Sequence, residues 1–123
     1  MRLIRHLLFS IAAAGGAMLA APSAFAHAHL ETSAPAANAV VVSPTTVTLH
    51  FSEALEARFS GFEITNAHGQ AVNATSHIDA NNASVLEATV SAPLSPGVYH
   101  VSWHIVAHDG HRMRGMLDFT VRA

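Results

Sequence analysis

Two short stretches, far apart in a chain of 123 residues, carry between them the donor atoms of a metal site. His27-Ala28-His29 follows directly on Ala24-Phe25-Ala26, whose small-x-small pattern is that of a signal-peptide cleavage site. Asp109-Gly110-His111 stands near the C-terminus. A cut between Ala26 and His27 gives His27 a free α-amine. That amine closes a six-membered chelate ring with the imidazole Nδ1 on a single metal. Asp109 and His111 stand at i and i+2, which in an extended chain puts both side chains on one face. If the two stretches meet, they present three nitrogens and one carboxylate oxygen, a set that suits the tetragonal preference of Cu(II). The expectation is one Cu(II) per chain, held by His27, Asp109 and His111. Zn(II) also takes His and carboxylate ligands, but divalent copper binds most nitrogen and oxygen sites more tightly.

His29 offers a competing mode. A free terminus with His in third position can wrap Cu(II) with the amine, two deprotonated amides and the His29 imidazole, and needs no fold to do so. A first strand whose amides pair in a sheet withholds them, so this mode ranks second. His108, beside the Asp109–His111 turn, is a candidate accessory ligand or outer-shell group, as is His104. His50, His68, His77 and His100 show no ligand spacing.

The elements that must position these donors begin after a removable leader. Arg2 and Arg5 give a positive start, Leu7 to Ala20 is uncharged and apolar, and the cleavage pattern follows, so residues 1–26 read as a signal peptide. Residues 27–123 then form one domain, near the size of common sandwich domains. This part holds four arginines, no lysine and eight acids, a formal charge of −4, and therefore lacks the basic footprint of a nucleic-acid binder. It has no second apolar run that could cross a membrane. Without cysteine there are neither disulfides nor thiolate metal sites. Nine of the ten histidines lie in this part.

The pattern is that of strands almost throughout. Ala28 to Thr32 is a first strand, followed by a loop with Pro35 and Pro44. Val47, Leu49 and Phe51 alternate with polar residues, the mark of a half-buried strand. Ser52 to Arg58 breaks the alternation and suggests a short helical turn. Gly61 to Thr65 points Phe62 and Ile64 inward, Ala67 to Gln70 turns, and Ala71 to His77 reads as the return strand. After a turn at Asp79 to Asn82, Leu86, Ala88 and Val90 alternate. A turn at Ser95-Pro96-Gly97 precedes the strongest strand, Val98 to Val106, in which Trp103 is expected in the core. Gly115 to Arg122 closes the chain with Leu117, Phe119 and Val121 on one face. About seven strands with frequent turns predict an all-β Greek-key sandwich or barrel.

Several motifs in this order resemble the CopC family of exported copper-binding proteins. They are His27-Ala28-His29-Leu30, Leu49-His50-Phe51-Ser52-Glu53, Phe59-Ser60-Gly61 and Pro96-Gly97-Val98-Tyr99-His100-Val101-Ser102-Trp103, the last continuing to Asp109-Gly110-His111 and Gly115 to Val121. The resemblance implies a seven-stranded Greek-key β-barrel of cupredoxin or immunoglobulin-like build. It also implies a periplasmic Cu(II) site with His27, Asp109 and His111 as ligands. It assigns Glu53 to the second shell, accepting a hydrogen bond from the metal-bound amine. One branch of the family carries a Met-rich Cu(I) stretch. Here the corresponding Ile64 to Val72 has no Met, so a dedicated Cu(I) site is not expected. Arg112 stands where the family often has a proline.

The function expected is that of a periplasmic copper carrier or buffer in copper homeostasis and resistance, a monomer and not an enzyme. The resemblance implies cooperation with an inner-membrane copper protein of the CopD type. Two alternatives come from other classes. A copper monooxygenase also begins with a His that binds copper through amine and imidazole, but Asp109 would occupy the coordination position that oxygen activation needs. A metal-free exported sandwich would bind no copper and would tolerate any change at His27.

Overall fold

The computed structural model describes residues 28–123, so the expected signal peptide, residues 1–26, and His27 lie outside the described residues. Within them the chain forms eight strands and one short 3-10 turn at Ala57–Phe59. The strands are β1 (Leu30–Ala34), β2 (Val40–Val41), β3 (Thr46–Phe51), β4 (Gly61–Asn66), β5 (Ala74–Asp79), β6 (Asn82–Val90), β7 (Gly97–Val106) and β8 (Arg112–Val121). They make two four-stranded sheets, ordered β1-β3-β6-β5 and β2-β8-β7-β4. The chain alternates between the sheets from β1 to β5 and again from β6 to β7, while β5–β6 and β7–β8 are hairpins within one sheet, giving the expected all-β sandwich. The eighth strand is β2, a two-residue parallel partner of β8 that joins Val40 to Thr120 and Val41 to Val121. It lies inside the stretch expected to be loop, too short to show a period.

Alternation decides the core. Val47, Leu49 and Phe51 of β3 face Ile64 of β4, Tyr99, Val101 and Ile105 of β7, and Leu117, Phe119 and Val121 of β8, all buried in one cluster. Each such side chain removed from water contributes roughly 1.5–3 kcal/mol. Tyr99 stacks on Phe119 with ring centroids 5.6 Å apart, and its hydroxyl donates to the Ser95 carbonyl at 2.7 Å, pinning the turn into β7.

One pairing differs from the sequence reading. The return after the Ala67–Gln70 turn lasts only through the Thr65–Ala71 bridge and the bond from Val72 N to Ile64 O. From Ala74 onward the chain joins the other sheet, with β5 paired to β6 from Ala74–Val90 to Asp79–Asn82. The reason is local: Asp79 Oδ1 accepts from Asn81 N at 2.7 Å and closes a tight turn, so β5 and β6 form the nearer hairpin. Ser76 Oγ, accepting from Phe62 N at 2.9 Å, ties β4 to β5 across the seam.

Trp103 is half-buried on the inward face of β7 and meets Phe51 edge-on, with ring centroids 5.2 Å apart. Gly115 is its partner on β8. A Cβ at position 115 would overlap the Trp103 ring atoms Cζ2 and Cε2. Gly115→Ala is therefore expected to destabilise the fold by about 1–3 kcal/mol through overpacking, read as a lowered midpoint in denaturant. An unchanged midpoint would mean that the ring has room to move.

Candidate metal centre

An irregular segment, residues 52–56, joins the chain at His29 to the loop at Asp109–His111. On one side it binds the backbone of His29: Ser52 N donates to His29 O at 2.9 Å, and Ser52 Oγ accepts from His29 N at 2.9 Å. Ala28 is fully buried in the core cluster, so the chain is anchored immediately after His27. On the other side the segment binds the Asp109–His111 loop. His108 N donates to Ala54 O at 3.0 Å, Glu56 N donates to Val106 O at 2.8 Å, and Leu55 bridges Ala107. Leu55 and Ala107 are both buried, which fixes this junction.

The loop itself is a tight turn. Ala107 N donates to His111 O, and Gly110 N donates to Ala107 O at 2.8 Å. Gly110 has φ +90°, a conformation that favours glycine. This turn brings Asp109 back to its neighbour two residues on. Asp109 Oδ1 accepts from the His111 backbone N–H at 3.0 Å, and Oδ2 lies 3.0 Å from His111 Nδ1. The backbone N–H of His111 holds the Asp109 carboxyl below the usual carboxylate range. Partial desolvation opposes it, and the His111 ring adds to the lowering. A depressed carboxyl keeps its charge as pH falls through that range, so the anionic donor persists into mild acid.

The donor chemistry fits a tetragonal cation. Two donors about 2.0 Å from a metal, at neighbouring corners of a square, are roughly 2.8 Å apart. The Asp109 oxygen and the His111 nitrogen stand at 3.0 Å, close to that spacing. Each side chain is 45% exposed, which leaves a face open to an arriving ion. Among the described residues no three His, Asp or Glu side chains form a metal-holding group. Asp109 and His111 are a pair, and the third ligand named from the sequence, His27, lies outside the described residues.

Of the other sequence candidates, Glu53 is half-buried within the joining segment, between the residue that binds His29 and the residue that binds His108. His29 is exposed as a residue, yet its backbone N–H is committed to Ser52. That bond withholds one of the two amides which a terminal wrap around copper would have to deprotonate. His108 turns to Glu56, with Nδ1 3.1 Å from Oε1. Sequence reasoning missed Ser52 as the tie for the N-terminal segment and Glu56 as the partner of His108. Ser52 stands in the Phe51-Ser52-Glu53 motif, but nothing in its spacing marks it as an acceptor for residue 29.

The comparisons converge. The family model of the CopC domain matches residues 30–122. Protein YobA of Escherichia coli strain K12 is 39% identical over 106 residues, covering 85% of this chain and 86% of that protein. Copper resistance protein C of Xanthomonas campestris pv. juglandis is 36% identical over 113 residues, covering 86% of this chain and 88% of that one. Among solved structures, PcoC from Escherichia coli, described as a methionine-rich copper resistance protein, superposes with a TM-score of 0.72 at 33% identity. That match covers 78% of this chain and 99% of PcoC.

Proposed function

This chain belongs to the CopC family, and from that premise we propose that it is an exported protein that carries or buffers Cu(II) in copper resistance. The observation that supports the reading is the convergence at residues 52–56, which binds the backbone of His29 on one side and that of His108, beside the Asp109–His111 pair, on the other. In this proposal signal-peptide cleavage frees the His27 amine, and the amine with Nδ1 fills two corners of the square. Asp109 and His111 fill the other two. Glu53, held between the two halves, accepts a hydrogen bond from the amine. His29 contributes its backbone to the fold and not its ring to the metal, and His108 stays with Glu56. With all four equatorial places taken by protein, no reaction is assigned. The metal is cargo, and a copper protein of the inner membrane, of the CopD type, is its partner in the periplasm.

One Cu(II) per monomer follows from one ligand set. A soft second site finds no support in the two methionines after residue 27. Met113 and Met116 are an odd number of residues apart on β8, so they face opposite sides of the sheet.

The test is a copper titration of the cleaved protein followed by EPR. The expected spectrum saturates at one equivalent, with three nitrogens and one oxygen in a tetragonal field. Reduction with ascorbate in the presence of a Cu(I) chelator should strip the metal completely. Retention of Cu(I), or preference for Zn(II) in direct competition, would overturn the assignment.

A further inference from the structure

Three of the four arginines in residues 27–123, Arg58, Arg112 and Arg114, line one cleft of about 420 Å³. Arg58 is adjacent in sequence to Phe59, the last residue of the 3-10 turn, which stands 55% exposed at the same cleft. Arg112 and Arg114 are exposed positions of β8, with the half-buried Met113 between them and His104 paired opposite Arg114. Such a concentration of cations is unexpected on a chain with twice as many acids as arginines over this span. None of the three makes a direct ion pair among the described residues, although Glu63 lines a neighbouring cleft with Arg114. Among the described residues the close contacts to carboxylates all come from histidine ring nitrogens, and none comes from an arginine. Glu56, two residues from Arg58, is engaged by His108 at 3.1 Å.

The same stretch of β8 is an open strand edge. β2 covers only its far end, through Val40–Thr120 and Val41–Val121. On that side the even-numbered residues of β8 direct their backbone groups outward. Thr120 N donates to Ala39 O at 2.8 Å, and Asp118 O accepts from Asn38 N at 2.7 Å. The alternation of an antiparallel ladder places the backbone N–H and C=O of Arg112, Arg114 and Met116 on this edge too. Among the described residues no strand pairs with them there. An edge of this kind accepts an added strand, with main-chain bonds giving affinity and alternate side chains giving specificity.

We propose that this edge and cleft dock an extended acidic segment of a protein partner, which adds beside β8 and sets alternate carboxylates against Arg112 and Arg114. Residues two apart on a strand share a face, so acids at every second position of the segment meet both guanidinium groups. Arg58 and Phe59, just before β4 and so across β7 from this edge, offer a further cation and an apolar contact to side chains of the segment that reach over β8. Because Arg112 follows His111, a docked partner lies beside the loop assigned above to copper. The docking itself does not rest on that assignment and is tested without metal.

The experiment titrates the metal-free, ¹⁵N-labelled protein with a short synthetic peptide of alternating Glu and Val. The expected result is binding that weakens with added salt and shifts the amides of Arg112, Arg114 and Met116. The same peptide with Gln for Glu, and the Arg114→Glu variant with the Glu peptide, should each bind about tenfold more weakly. Arg122→Glu makes the same charge change outside the cleft and should bind the Glu peptide as the parent does. Arg58→Glu, on the opposite wall, gives the reading if Arg114→Glu fails to fold. The proposal is overturned by equal binding of the Gln peptide, by equal weakening from Arg122→Glu, or by amide shifts away from β8. It is likewise overturned if free glutamate or phosphatidylglycerol vesicles occupy the arginines while the peptide does not.

Discussion

Replacing His111 with alanine is expected to lower Cu(II) affinity by about a hundredfold or more while leaving the fold intact. Loss of a residue that merely supports a ligand commonly costs about 10–100-fold in metal affinity, and His111 is proposed as a ligand itself. Its side chain is 45% exposed and sits at a loop, so its removal empties no core space. Asp109→Asn is the finer probe. Asparagine retains an oxygen acceptor for the His111 backbone N–H, now bonded at 3.0 Å, and so can preserve the turn. It removes the carboxylate, whose pKa the His111 backbone N–H holds below the usual range, and should weaken copper binding with a changed EPR signal. Circular dichroism checks that both variants keep the β-sandwich. Parent-like copper affinity in both would place the metal elsewhere and raise the terminal wrap through His29 to first rank.

The proposed ligands can be read from the sequence because each half of the set carries a local pattern. Asp109 and His111 are separated by a single glycine, and His27 follows a cleavage pattern. The strands that carry them were legible for the same reason: β3, β7 and β8 alternate over long runs, and a period of two survives in sequence. What joins the halves has no period. Residues 52–56 hold both sides through backbone bonds at irregular positions, His29 to Ser52 and His108 to Ala54, and such bonds leave no compositional trace. The partner strand of β4 was misread because a good turn at Ala67–Gln70 promises a hairpin that the chain abandons after Val72. The tighter Asp79–Asn82 turn then captured the next strand. The arginine cleft was invisible for a simpler reason: Arg58 lies more than fifty residues before Arg112 and Arg114, and only the crossing of the chain between sheets brings them to one surface.

The largest effect is expected from moving a single atom. Placing one extra glycine before His27 of the cleaved protein keeps every side chain but converts the His27 nitrogen from an amine to an amide. An amide nitrogen has no basic lone pair, so the chelate ring with Nδ1 is lost, and one strong donor goes with it. Copper affinity should fall by orders of magnitude, and His27→Ala should do the same. The sandwich should still fold in both, because the anchor of the segment is the buried Ala28 and the paired backbone of His29, which neither change touches. The extra glycine also moves His29 out of third position, so by itself it does not separate the two copper modes. His29→Ala does. The His29 N–H that donates to Ser52 Oγ is backbone and survives the substitution, so the variant should bind copper nearly as the parent if Asp109 and His111 are ligands, and badly if the terminal wrap is the site. It follows that uncleaved protein should bind copper weakly, which would confine tight loading to the far side of the inner membrane. If the extra-glycine protein binds copper as tightly as the cleaved one, with the same EPR signal, the amine is not a ligand and the proposed site is wrong at its first residue.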